Sequence, residues 1–233
     1  MRSYVGDLAS CFEGGEMNCL GAYDLVVFDC DGVVLDSNKV KTEAFYNSAR
    51  SYGEGNAQAL VDYHVRNGGV SRYIKFEYFL TDIIKIEPNK EEVESLLSRF
   101  SSEVKKGLMS CDVADGLDRL REKSRQAKWF IVSGGDQEEL REIFAARRLD
   151  RFFDGGIFGS PDTKDTILSR VINSKKLIGA ALFIGDSKYD YEAATRAGMD
   201  FIFVKGWSEF SEADSYFEGK SLSIVNSLSD LCS

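Results

Sequence analysis

The chain has 233 residues, 43% of them hydrophobic and 29% charged, a balance that belongs to folded globular proteins and excludes disorder as the main state. Its formal charge of −9 at pH 7 excludes nucleic acid as the principal partner, since phosphate backbones bind basic surfaces. No apolar run approaches the ~18 residues of a membrane-spanning helix, and the first residues lack the apolar stretch of a secretory signal, so a cytoplasmic protein without membrane contact is expected.

Residues 1–22 are poorly patterned and read as an N-terminal extension. DLVVFD then has the continuous apolar run of a strand buried on both faces. Residues 38–106 read as helices. The best of them is Arg72–Ile84, which sets Tyr73, Phe76, Leu80, Ile83 and Ile84 near one face. Pro88 and Asn89 mark a break before the next helix, EEVESLLSRF.

After Gly107 the pattern alternates. A helix near Asp115–Gln126 leads to the strand WFIVS, and a helix with Leu140, Ile143 and Phe144 on one face leads to GGIFGS. A helix around Asp165–Asn173 precedes the buried run ALFIGD, and the alanine-rich YEAATRAG precedes FIFV. Such alternation predicts a parallel sheet with right-handed crossovers. The expected fold is therefore α/β: a Rossmann-like core from residues 23–37 and 107–233, carrying an α-helical cap, residues 38–106, inserted after the first strand.

The five cysteines, Cys11, Cys19, Cys30, Cys111 and Cys232, are odd in number and lack CxxC spacing, so reduced thiols are expected rather than disulfides or zinc. The single histidine, His64, lies in LVDYHVRNGG with no motif around it and is expected in a structural or surface role. Carboxylates, lysine, serine and a metal are left to carry any chemistry.

Four polar clusters follow apolar runs. Asp29 and Asp31 follow LVVF, Ser133 ends WFIVS, Lys164 follows GGIFGS, and Asp186 and Asp190 follow ALFIG. Open parallel sheets bind ligands outside the carboxyl ends of their strands, so all four clusters should meet at one mouth. Four crowded carboxylates repel, and their hard oxygen atoms favour Mg²⁺ as the compensating cation over zinc or copper. With Lys164, Ser133 and backbone N–H groups, such a site fits a phosphate dianion. Taken singly, each aspartate reads as readily as a helix cap or turn residue.

These residues also carry a resemblance. FDCDGVVLDS matches hhhDxDGxxxDS, the first motif of the haloacid dehalogenase superfamily. Ser133 and Lys164 match its second and third motifs, and GDSKYDYEAATRAG its fourth. The resemblance spans about residues 23–205 and implies phosphoryl transfer through an aspartyl-phosphate. It implies Asp29 as nucleophile and Asp31 as the acid that protonates the leaving oxygen and then the base that activates water. It further implies Ser133 and Lys164 on the phosphoryl oxygens. Mg²⁺ would be held by Asp29, the Asp31 backbone carbonyl and Asp186, with Asp190 in support or as a ligand. Dehalogenase and phosphonatase members lack an aspartate at the Asp31 position, so its presence favours a phosphomonoester.

The helical insertion resembles that of the phosphoglycolate phosphatase and β-phosphoglucomutase branch. There, Arg72 and Lys75 are expected either to contact an anionic or hydroxyl-rich part of the substrate or to form a solvated charged face. Mutases carry a histidine where this chain has Lys41, which favours hydrolysis. Lys41 itself is read as a surface lysine, with the entrance of the site as its other possible place. The expected activity is Mg²⁺-dependent hydrolysis of a small phosphorylated metabolite, plausibly a sugar phosphate. The alternatives are a phosphomutase or phosphotransferase, and a non-catalytic regulatory or binding protein. Neither the substrate nor the oligomeric state is legible.

Overall fold

A computed structural model describes residues 19–174 and 179–232. The expectation for residues 1–22 therefore lies outside the described residues up to residue 18, while Cys19–Ala22 form a short 3-10 turn. Among the described residues no helix is long and apolar enough to cross a membrane.

The core is a six-stranded sheet built from β1 (Leu25–Phe28), β2 (Lys128–Asp136), β3 (Gly156–Ser160), β4 (Ala181–Gly185), β5 (Asp200–Val204) and β6 (Ser223–Val225). Its order is β3-β2-β1-β4-β5-β6, and every pairing is parallel. Leu25 pairs with Lys128 on one side and with Ala181 on the other, so β1 is central. The chain order reverses beside β1, which opens a crevice at its carboxyl end.

The two-sided burial read from LVVF is realised residue by residue. Leu25 and Val27 join Phe130, Val132 and Phe183 on one face, packed against Ile167 and Leu168 of α7 (Lys164–Ser174) and Ala193 and Ala194 of α8 (Lys188–Ala197). Val26 and Phe28 face the other way, with Trp129, Ile131 and Ile184. That face is covered by Leu117 and Leu120 of α5 (Leu117–Lys123) and by Leu140, Ile143 and Phe144 of α6 (Gln137–Ala146).

The insertion between β1 and α5 carries four α-helices: α1 (Asn38–Ala49), α2 (Glu54–Arg66), α3 (Arg72–Tyr78) and α4 (Lys90–Ser110). Asn89 accepts the Glu92 N–H and so starts α4 where the Pro88-Asn89 break was read. Phe45, Phe76 and Phe100 form the aromatic centre of this layer and are continuous with the apolar packing below it.

Several boundaries differ from the expectation. The helix read over Arg72–Ile84 is α-helical only to Tyr78 and π-helical from Phe79 to Ile84, with the adjacent residues Phe79 and Leu80 both fully buried. Helix α4 continues through Gly107 because Val104 and Leu108 keep one face buried on either side of it. The Asp115–Gln126 helix shortens to α5. Short α9 (Ala213–Phe217) and edge strand β6 were not anticipated, being too brief to show a period.

Trp129 ties this core together. It is fully buried, 4.6 Å from the Phe28 ring, and its indole N–H donates to Ser124 Oγ at 3.0 Å. Trp129→Ala should cost about 3–5 kcal/mol in urea unfolding. A loss below about 1 kcal/mol would show that the sheet face is not closed as described.

Candidate active site

The six site residues expected in the core gather at or just beyond the carboxyl ends of strands. Asp29 leaves β1, and the following turn brings Asp31 round beside it. That turn requires glycine at position 32: its φ is +72°, and a Cβ there would lie 2.1 Å from Asp186 Oδ2. Asp186 follows β4, Ser133 lies near the end of β2, and Lys164 opens α7. Ser187 caps α8 in a reciprocal capping box with Asp190.

All six polar residues are buried, and most of them converge. Lys164 Nζ pairs with Asp190 Oδ1 and lies 3.0 Å from Asp29 Oδ1. Carboxylate oxygens of Asp29, Asp186 and Asp190 lie within 4.8 Å of one another. Three carboxylates thus face one ammonium. Asp190 serves both readings of the sequence at once: its Oδ2 accepts from the Ser187 N–H at 3.1 Å as a helix cap, while its Oδ1 meets Lys164. Asn38 donates to Asp186 Oδ2 at 2.7 Å.

Burial, with Asp190 and Asp31 nearby, pushes the Asp29 carboxyl up to about 7 despite Lys164. Burial and the charges of Asp29 and Asp190 also push Asp186 well above the carboxylate range. Asp29 Oδ1, though close to Lys164, has no hydrogen-bond partner at a proper angle. Three carboxylates against one ammonium, with a buried oxygen left without a hydrogen bond, are what a divalent cation would correct, so the donor set fits one.

Asp31 has a different environment. Burial alone would raise it, but Lys41 Nζ and Ser37 Oγ, at 2.6 Å on Oδ1, hold its carboxyl below the usual range. Ser133 Oγ lies 3.3 Å from Asp31 Oδ2 and accepts the Gly135 N–H at 2.9 Å. Two neighbouring aspartates are therefore driven in opposite directions.

Helices of the insertion form the opposite wall of a cleft of about 250 Å³ that Asp29, Asp31 and Asp186 also line. Close contacts hold the wall down. A Cβ on Gly134 would lie 2.4 Å from the Gly69 carbonyl oxygen. Arg72 donates to both oxygens of Glu139, at 2.6 and 3.1 Å, and to Ser101 Oγ at 2.8 Å.

Three expectations change here. Arg72 and Lys75 are not a solvated face: both are buried. The guanidinium of Arg72 is taken up by Glu139, a residue that the sequence did not single out. Lys41 is not a surface lysine but ion-pairs with Asp31 beneath the wall. His64 is not at the surface: it is buried, lines the cleft, and shares a hydrogen bond of 2.7 Å between its Nδ1 and Lys75 Nζ. Only the scarcity of histidine marked it, whereas Asn38 and Glu139 left no signal in the sequence.

Burial, reinforced by Lys41, pulls the Lys75 ammonium down from its ordinary value to about 7, against the weaker pull of Asp31 and Glu209. A lysine depressed on folding destabilises the fold most below its folded pKa, and the cost fades as pH rises toward the unfolded value. Lys75→Met should therefore raise Tm, and by more at pH 6 than at pH 9. A gain independent of pH would show that the ammonium is not buried uncompensated.

A model of haloacid dehalogenase-like hydrolases matches residues 26–204. The phosphorylated carbohydrates phosphatase of Thermotoga maritima is 27% identical over 192 residues, spanning 77% of this chain and 84% of that one. A haloacid dehalogenase-like family hydrolase from Streptococcus pneumoniae superposes with a TM-score of 0.66 at 21% identity, over 90% of this chain and 97% of that one. A phosphonoacetaldehyde hydrolase-like protein from Oleispira antarctica gives 0.70 at 14% identity, over 94% and 93%. These two likenesses concern the fold; the family match takes in β1 through β5 with all six buried polar residues. The chain belongs to the haloacid dehalogenase-like hydrolase family.

Proposed function

We propose that this protein is a Mg²⁺-dependent phosphatase that hydrolyses a small phosphomonoester through a phosphorylated Asp29. The observation that carries the proposal is the buried knot of Asp29, Lys164, Asp186 and Asp190 at the floor of a cleft sized for a metabolite. The Thermotoga relative, named for phosphorylated carbohydrates, supports a sugar phosphate as substrate.

Asp29 attacks phosphorus in line and releases the alcohol. Lys164 and Ser133 bind the phosphoryl oxygens, and helix α7, which begins at Lys164, adds its amino-terminal N–H groups. The leaving oxygen draws its proton from the hydrogen-bonded Lys41–Asp31 pair. Asp31, held ionised by Lys41 and Ser37, then accepts a proton from the water that cleaves the acyl-phosphate. Asp29, Asp186 and the Asp31 carbonyl would hold Mg²⁺, with Asp190 acting through Lys164. The cation would supply charge neutralisation between the carboxylates and the phosphoryl group. The helices of residues 38–106 serve as a cap that shields the acyl-phosphate from bulk water. We place the reaction in the cytosol, consistent with Cys30, Cys111 and Cys232 being free thiols.

Asp29→Asn should lower phosphate release from an aryl phosphate by about 10³-fold or more with the circular dichroism unchanged, since only the nucleophile is lost. Chelation should abolish wild-type turnover, and Mg²⁺ should restore it. Activity that survives either treatment contradicts the proposal.

A further inference from the structure

The core holds a second cavity, of about 530 Å³, that shares no lining residue with the catalytic cleft. Its volume lies in the range of sites that take small organic ligands. It forms where separate stretches meet: Val33 in the turn after β1, Asp112 and Asp115 on the return between α4 and α5, Val204 and Trp207 at and just beyond the end of β5, and Leu228 near the end of the chain.

The floor is apolar, with Val33, Val204 and Leu228 all buried. One wall is the half-buried Trp207. Among the described residues no other ring and no cationic side chain packs on the face of Trp207, whereas Trp129 carries the Arg121 guanidinium at 5.2 Å from its ring centroid. Asp112 and Asp115 stand exposed on the rim, and neither forms an ion pair among the described residues. No lysine, arginine or histidine lines the cavity.

These features select one kind of occupant. An indole face attracts a cation, and two carboxylates without a counter-ion add to that attraction while repelling anions. The apolar floor rewards a carbon skeleton, from which a hydrated metal ion gains nothing. We propose that this cavity is a second binding site, separate from the catalytic cleft, for a small organic cation with a flat apolar face. The site lies beside both segments that join the sheet to the helical insertion: Leu35 bridges Val113, and the Asp36 N–H donates to the Asp112 carbonyl at 3.0 Å. It is set apart from the acidic knot by Asn38, whose amide donates to the Trp207 carbonyl at 2.8 Å and to Asp186 Oδ2 at 2.7 Å.

The test titrates the protein with benzamidine, with benzamide as the uncharged isostere and benzoate as the anion, at constant ionic strength. Trp129 is fully buried, so quenching of tryptophan fluorescence reports Trp207, and calorimetry gives Kd. Benzamidine should bind saturably, at one per chain and at least about fivefold more tightly than benzamide, with no saturable binding of benzoate. Asp115→Asn should weaken benzamidine by about threefold and leave benzamide unchanged. Trp207→Leu should weaken both. Equal affinities for amidine and amide in the wild type, a comparison that needs no variant to fold, overturn the proposal. Saturable benzoate binding, or a benzamidine Kd unmoved in both folded variants, also overturns it. Benzamidine should leave the KM for an aryl phosphate unchanged, and competitive inhibition with a Ki equal to the measured Kd would place the ligand in the catalytic cleft and remove the second site. The binding arms need no turnover, so their outcome is independent of the phosphatase reading.

Discussion

The structure depends on a shortage of positive charge. Asp29, Asp186 and Asp190 are packed at the central strand end with one lysine among them. Burial makes each negative charge expensive, and Asp29 is raised to about 7 as a result. A stable protein without function would replace such a cluster with apolar residues at little loss. On the proposed function the cluster is a prepared field that a divalent cation and a phosphoryl group would together compensate.

The same logic separates the two aspartates of the first turn. They are two residues apart, yet Asp29 is raised and Asp31 lowered. The difference comes from which ammonium each meets. Lys164 is shared between Asp29 and Asp190, whereas Lys41 and Ser37 serve Asp31 directly. On the proposed mechanism this leaves Asp29 to form a bond and Asp31 to carry protons. Lys41 reaches Asp31 from a helix of the insertion, so the surroundings of Asp31 are shared between the sheet and that layer. The Arg72–Glu139 pair and the tight Gly134–Gly69 approach hold it there.

The sheet and the floor of the site were legible in the sequence because both rest on local rules. Buried parallel strands are continuous apolar runs, and ligands gather at their carboxyl ends. Asp29, Asp31, Ser133, Lys164, Asp186 and Asp190 all follow from that placement. The wall was less legible because its partners are distant in sequence and set by packing. Arg72 was legible as a substrate contact or a solvated charge, but not its pairing with Glu139, 67 residues away. Lys41 looked solvent-facing because its helix has no strong apolar face to orient it, with Ala44, Phe45, Ser48 and Ala49 buried beside Lys41 itself. His64 stands alone in its segment, and only the fold brings Lys75 to it.

The central claim is that the acidic knot is built to hold a divalent cation, and binding can be read without turnover. Ligands that bind only the folded state raise Tm, by about 2.7 kcal/mol of added stability at a hundredfold excess over Kd. The direct measurement is thermal melting of the wild type and Asp186→Asn across a Mg²⁺ titration, with NaCl adjusted to constant ionic strength. The account predicts a saturable rise in Tm for the wild type and none for Asp186→Asn. A wild-type Tm that does not respond to Mg²⁺, or an equal response in both proteins, would contradict it.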